Sequence, residues 1–239
     1  MYETIRFEEA GDVATITLVR ERINVRQLRE LERVFDHLED TSSARVVVIA
    51  GHSLGIDFAE FDAKAPLDIH GFNKWEKLVS RVERLTQATI ASVDGDCRGG
   101  GFQLVLACDI RVSAPGVCFS LPEVQMGFLP GMATYRLARY IGLGQAKRVI
   151  LTGEKISAER AQELGAIDYL APSHDARVAL ARSALGPTHT VAISLARRLL
   201  NESFDTAYED ALGNFLAAQH RAISQPAFLD TLKKERGSP

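Results

Sequence analysis

Cysteine is scarce in this sequence. Cys97, Cys108 and Cys118 are its three thiols, and no two are spaced as CxxC. An odd number without a pairing pattern argues against a disulfide framework and against a cysteine-based zinc site. The six histidines are scattered and form no HExxH, so no metal centre is expected. There is no GxGxxG and no GxxxxGK[ST], which argues against a dinucleotide or P-loop site. No apolar run approaches the ~18 residues a membrane span needs. Met1-Tyr2-Glu3-Thr4 is not a basic segment leading into an apolar one, so a cytoplasmic protein is expected. A basic excess is also missing: 28 Lys and Arg stand against 31 Asp and Glu, a net charge of −3, which argues against nucleic acid as the partner. Any phosphate must then be held by a few local cations and backbone N–H groups.

What is present is an ordinary globule. With 239 residues, the chain is long enough for one large domain, or one domain with a small appendage. Residues 2–8 and 12–19 are β-type runs joined by Gly11-Asp12, with Ala14, Ile16 and Leu18 alternating as in a half-buried hairpin. Leu28, Leu31, Val34, Phe35 and Leu38 follow at helical spacing. Val46–Ala50 and Thr89–Val93 read as strands buried on both faces. Between them, Phe72, Trp75, Leu78, Val79, Val82 and Leu85 form a second helical stripe, with Trp75 expected in the core. A short helix is predicted over 102–107, and strands over 109–113, 117–120 and 166–170. The rest from about 132 onward is read as helix, with long amphipathic stretches at 190–201 and 205–223. This is an α/β body over residues 1–185 and a helical C-terminal region over 186–239, divided near Gly186-Pro187.

Chemistry is suggested by two glycine-rich turns and one acid. Gly99-Gly100-Gly101 follows a buried strand and opens a helix. Such a turn presents unpaired backbone N–H groups, with the helix dipole behind them, to a phosphate or to a developing oxyanion. It also serves as a tight packing turn. The segment Gly51–Phe58 again puts glycines beyond the end of a strand, where open α/β folds place their sites. Glu123 is the single acid in an apolar stretch bounded by Pro122, Gly127, Pro130 and Gly131. Set against apolar neighbours, it would have its pKa raised toward that of a general acid/base. The pattern alone is equally compatible with a solvated loop carboxylate.

Together these segments resemble a known family. Leu54-Gly55-Ile56-Asp57-Phe58 is similar to A-G-x-D-L. Asp94-Gly95 through Gly99-Gly100-Gly101-Phe102-Gln103-Leu104, then Ala107-Cys108-Asp109-Ile110-Arg111, is similar to N-G-x-x-x-G-G-G-x-E-L followed by A-C-D-I-R. Pro122-Glu123 through Pro130-Gly131 is similar to P-E-x-x-x-G-x-x-P-G. In this order and spacing they resemble the crotonase (enoyl-CoA hydratase/isomerase) superfamily. The resemblance implies a spiral of ββα units with a C-terminal helical trimerisation region, assembled as a trimer or a dimer of trimers. It implies an acyl-CoA or acyl-carrier thioester as substrate, with coenzyme A as the carrier and no other cofactor. The oxyanion hole would be formed by the N–H groups of Ile56 and Gly100, and the acid/base would be Glu123. Arg22, Arg26 and Leu54 would serve CoA.

The sequence also departs from that family. Hydratases carry a second glutamate two residues after the glycine triplet, and here that position is Gln103. An amide forms hydrogen bonds but takes no proton at neutral pH. A one-glutamate isomerase is the leading expectation, with Gln103 orienting or packing. Hydration, decarboxylation of a β-carboxyacyl thioester, and a non-catalytic partner subunit are the alternatives. The loop Leu18–Val25 lacks the family's proline, and a lysine common just after A-G-x-D-L is Ala59 here. Asp62, Lys64, His70 and Tyr135 fall in segments that line the acyl pocket in relatives, and each is more readily structural than catalytic.

Overall fold

The computed structural model describes residues 2–57, 69–186 and 190–237. Phe58, Ala59, Asp62 and Lys64 lie outside the described residues.

The chain opens with a hairpin, β1 (Ile5–Ala10) and β2 (Val13–Leu18), turned at Gly11. Helix α1 (Val25–Asp40) follows, its start fixed by Asn24, whose Oδ1 accepts the N–H of Gln27 at 2.7 Å. Then come β3 (Val46–Ala50), α2 (Ile69–Arg84), β4 (Ala88–Val93), the two-residue β5 (Cys97–Arg98) and α3 (Gly100–Leu106). Next are β6 (Ile110–Ser113), β7 (Cys118–Ser120), a 3₁₀ turn at Pro122–Met126, and α4 (Ala133–Thr152), broken at Gly142. β8 (Ile156–Ser157), α5 (Ala158–Leu164), β9 (Tyr169–Leu170) and α6 (His174–Leu185) complete the body. Three helices end the described chain: α7 (Thr190–Glu202), α8 (Tyr208–Ile223) and α9 (Pro226–Gly237).

Six strands form one sheet in the order β1-β2-β3-β4-β6-β9, antiparallel at the hairpin and parallel elsewhere. The Val46–Ala50 run is apolar throughout because both sheet faces are covered. Val47 and Ile49 pack in the core that holds the stripes of α1 and α2. Val46, Val48 and Ala50 pack on the opposite face with Ile90, Val112 and Ala181 of α6. A second, small sheet joins β5, β7 and β8. Its short strands carry no periodicity, and only β7 is legible as a strand in the sequence. Of the strand expected at 166–170, only Tyr169 and Leu170 pair, with Val112 and Ser113.

The A-C-D-I-R residues hold the framework. Asp109 Oδ2 accepts from the N–H and hydroxyl of Thr89 at 2.7 and 2.8 Å, while its Oδ1 accepts from Arg197 Nε at 2.7 Å. Arg197 is 7% exposed and also donates to the carbonyls of Val82, Leu85 and Gln87. One side chain of α7 thus caps the carboxyl end of α2 and ties it to β4. Arg111 grips Asp168 through two nitrogens and lies 3.7 Å from the Tyr140 ring centre.

Candidate active site

The two glycine-rich turns are stitched together. Past β3, segments 21–23 and 54–57 run side by side: Leu54 N–H donates to Glu21, Ile23 N–H to Gly55 and Asp57 N–H to Ile23, at 2.6, 2.9 and 2.8 Å. Gly55 bends this segment with φ +97°. Arg98 N–H then donates to Ser53 O at 2.8 Å, and Gly101 packs so closely that a Cβ there would stand 2.5 Å from the same oxygen. The turn before α3 is therefore held against the turn after β3. No acceptor among the described residues takes the N–H of Ile56 or of Gly100. Gly100 opens the first turn of α3, where unpaired donors are expected.

Glu123 enters from the 3₁₀ turn after β7. Gly99 N–H donates to Ser120 O at 3.0 Å, which brings the end of β7 alongside the glycine triplet. The carboxylate reaches over Gly99, and its Oε1 stands 2.0 Å from where a Cβ on that residue would be. Only glycine leaves room for it. Glu123 is 6% exposed, and its Oε2 is buried without a hydrogen-bond partner among the described residues. Burial raises its pKa above the usual 4.5, against a smaller lowering by the residue's own backbone N–H. A desolvated carboxyl with one oxygen free can take a proton and return it.

Gln103 is 2% exposed and fixed at both ends. Its Oε1 accepts the indole N–H of Trp75 at 3.0 Å, and its Nε2 donates to Glu76 Oε2 at 2.6 Å. Trp75 is a core residue, as its place on the apolar stripe predicts, and it packs under Gly100, where a Cβ would meet its Cζ2 at 3.3 Å. Glu76 in turn accepts the N–H of Met132, before α4, at 3.0 Å, and lies 3.7 Å from Arg136 Nη1. Sequence reasoning missed Glu76. The available signal was its heptad spacing from Glu83 along the edge of the α2 stripe, since Arg136 of α4 meets both.

The remaining candidates separate. Arg22 is exposed and has no ion-pair partner among the described residues, whereas Arg26 pairs with Glu3 and, at 3.6 Å, with Glu30. Leu54 is half-buried beside Ile56. His70 is exposed, and Tyr135 sits in a surface cluster with Arg139 and Asp205. Cys97 is buried, and desolvation pushes its thiol up to about 12, which leaves it protonated and unreactive. Among the described residues, no cluster of His, Cys, Asp or Glu is arranged to hold a metal ion, and no helix is long and apolar enough to cross a membrane.

Comparison with known proteins gives one answer at three levels. The profile of the family described as "Enoyl-CoA hydratase/isomerase" matches residues 8–237. A protein of Amycolatopsis orientalis named enoyl-CoA hydratase is 33% identical over 200 residues, covering 84% of this chain and 90% of that one. An enoyl-CoA isomerase/hydratase of Mycosarcoma maydis is 43% identical over 97 residues, 40% of this chain and 35% of its own. Among solved structures, an enoyl-CoA hydratase from Bacillus anthracis superposes with a TM-score of 0.89 at 28% identity, covering 99% of this chain and 98% of that one.

Proposed function

This chain belongs to the enoyl-CoA hydratase/isomerase family, and we propose that within it the protein is an enoyl-thioester isomerase working with Glu123 as its single acid/base. The thioester carbonyl is received by the N–H groups of Ile56 and Gly100. Glu123 takes a proton from the α-carbon of a 3-enoyl thioester. The electrons pass into the carbonyl as a dienolate, which the two N–H groups stabilise. Glu123, exchanging its proton with solvent, then protonates C4, so the double bond moves to C2 and the carboxylate is regenerated. Coenzyme A carries the acyl group, with Arg22 as the cation for its phosphates. Arg26, held by two carboxylates, is less suited.

The observation that carries this reading is the contrast between two residues. Glu123 is buried with an unpartnered oxygen, whereas the position from which hydratases draw their second carboxylate holds an amide engaged on both sides. The names of relatives such as the Amycolatopsis hydratase favour a second reading, hydration of a 2-enoyl thioester. We further propose a trimer or hexamer built through residues 186–239, because Leu200, Phe204, Tyr208, Leu212, Phe215 and Leu216 are all exposed there.

The test is proton exchange. The protein is incubated in D₂O with saturated, 2-enoyl and 3-enoyl CoA thioesters, following mass and double-bond position. Deuterium uptake with migration from C3 to C2, abolished in Glu123→Gln, is expected. Migration at the wild-type rate in that variant overturns the assignment. Water addition without migration supports the hydratase reading, and thioester binding without any turnover supports a non-catalytic partner subunit.

A further inference from the structure

Resting on the one-glutamate reading above, we propose that Glu76 is a positioning residue of this site. By holding Nε2 of Gln103 it keeps residue 103 an oriented amide, and so confines the site to chemistry on one carboxylate.

The two neighbours of the Gln103 amide have fixed hydrogen-bonding roles. An indole N–H can only donate, and an ionised carboxylate can only accept. Trp75 Nε1 and Glu76 Oε2 lie on opposite ends of the Gln103 amide, at 3.0 and 2.6 Å. Only an amide, with its oxygen toward Trp75 and its nitrogen toward Glu76, satisfies both. A flipped amide would face donor with donor and acceptor with acceptor. What remains to Gln103 is one N–H and one oxygen lone pair, which can bind a group but cannot remove a proton at neutral pH.

Glu76 is itself anchored. The N–H of Met132 holds its Oε1, where the start of α4 favours negative charge, and Arg136 approaches its Oε2. Gly131 makes the space: a Cβ there would stand 2.0 Å from Glu76 Oε1 and 3.3 Å from Gln103 Oε1. Arg136 does not move toward Glu76, because Glu83 binds it through two oxygens at 2.7 and 2.8 Å. A carboxylate at position 103 would meet another carboxylate at hydrogen-bond distance, and the pair could persist only by sharing a proton. Restoring the hydratase glutamate at 103 alone therefore does not restore a free base. Exchanging the two residues does, because the amide then donates from position 76.

The chain has a single tryptophan, so its indole ¹H–¹⁵N signal reports on Gln103 Oε1 without turnover. The experiment compares wild type, E76Q, Q103E and the exchanged E76Q/Q103E in the intact protein. In E76Q only the indole still orients the Gln103 amide, and a flipped amide can pair with the new amide at position 76 at the cost of the indole bond, so the indole signal is expected to shift and broaden or double. In E76Q/Q103E it is expected to return as one sharp line. Hydration of a 2-enoyl CoA thioester at neutral pH is expected to be at least tenfold faster in E76Q/Q103E than in Q103E. An indole signal unmoved in E76Q, or equal hydration by Q103E and E76Q/Q103E, overturns the proposal. Should E76Q fail to fold, E76D keeps the charge but withdraws it by one methylene, and the same indole shift is expected. The indole readout stands apart from the isomerase reading, which fails on Glu123→Gln and not on these signals.

Discussion

Gly99→Ala is the most direct way to displace Glu123 without changing it. Gly99 has φ 50° and ψ −121°, a conformation that residues with a side chain rarely adopt. Forcing one to do so costs of order 1–3 kcal/mol. The new methyl carbon would lie 2.0 Å from Glu123 Oε1 and 3.1 Å from its Cδ. Ordinary van der Waals contact begins near 3.4 Å, so the carboxylate must retreat by roughly 1.4 Å. A misplacement of ~1 Å at a reacting group can cost ~10²-fold in rate. We therefore expect kcat for 3-enoyl to 2-enoyl conversion, read from the absorbance of the conjugated thioester, to fall about 10²-fold. KM should stay within a few-fold, because the backbone donors remain. The strain alone should lower Tm by roughly 2–12 °C for a chain of this size. Gly116→Ala is the control: φ is +77°, and a Cβ there meets nothing within 4 Å. It should lower Tm and leave kcat unchanged. A Gly99→Ala enzyme with kcat within threefold of wild type would refute the reasoning, since the displaced carboxyl would then not be the proton carrier.

Other outcomes follow from the same contacts. Burial raises the Glu123 carboxyl above 4.5, so the folded state holds that proton more tightly than the unfolded chain. This contribution to stability is complete below the ordinary carboxylate range and is lost as pH rises through the folded value. Glu123→Gln should therefore melt above wild type, with a gap that widens from pH 4 to pH 7 in calorimetry; a gap that narrows would contradict the burial. Isomerisation should lose kcat/KM on acidification at a pH above that of an exposed carboxylate, measured as a pH–rate profile. Arg197→Ala removes the partner of Asp109 and the cap of α2, and should destabilise the protein by about 3–5 kcal/mol in urea unfolding. Arg22→Ala should raise KM several-fold for a CoA thioester and leave the pantetheine thioester unaffected, while Arg26→Ala should change neither; equal effects of both variants would refute a distinct role for Arg22.

Much of this was legible because it is written in local pattern. The buried strand β3 shows as an apolar run, β4 as a short run of small and β-branched residues, and the stripes of α1 and α2 as helical periodicity. The glycine turns show as punctuation after strands. The ambiguity at Glu123 resolves to the buried alternative because Gly99 leaves room for its side chain, a fact of packing that no spacing encodes. β5 and β8 were not legible, since two residues carry no period. The final helix α9 falls inside the helical region expected over 186–239. The amide at Gln103 is plain in the sequence, but its partner Glu76 comes from a helix far away in sequence. Only the fold places an acceptor on one side of that amide and an indole donor on the other.

Helix α2 is gripped at one end and chemically engaged at the other. Arg197 holds its carboxyl-terminal carbonyls, and Trp75 and Glu76 sit one to two turns from its start. Between Glu76 and that grip lie roughly 12 Å of rigid rod at 1.5 Å per residue, so a tilt of ~5° about Arg197 carries Glu76 by about 1 Å. The helix acts as a lever whose fulcrum is set by α7. A shift of α7 would thereby reach the amide at position 103 through the length of α2.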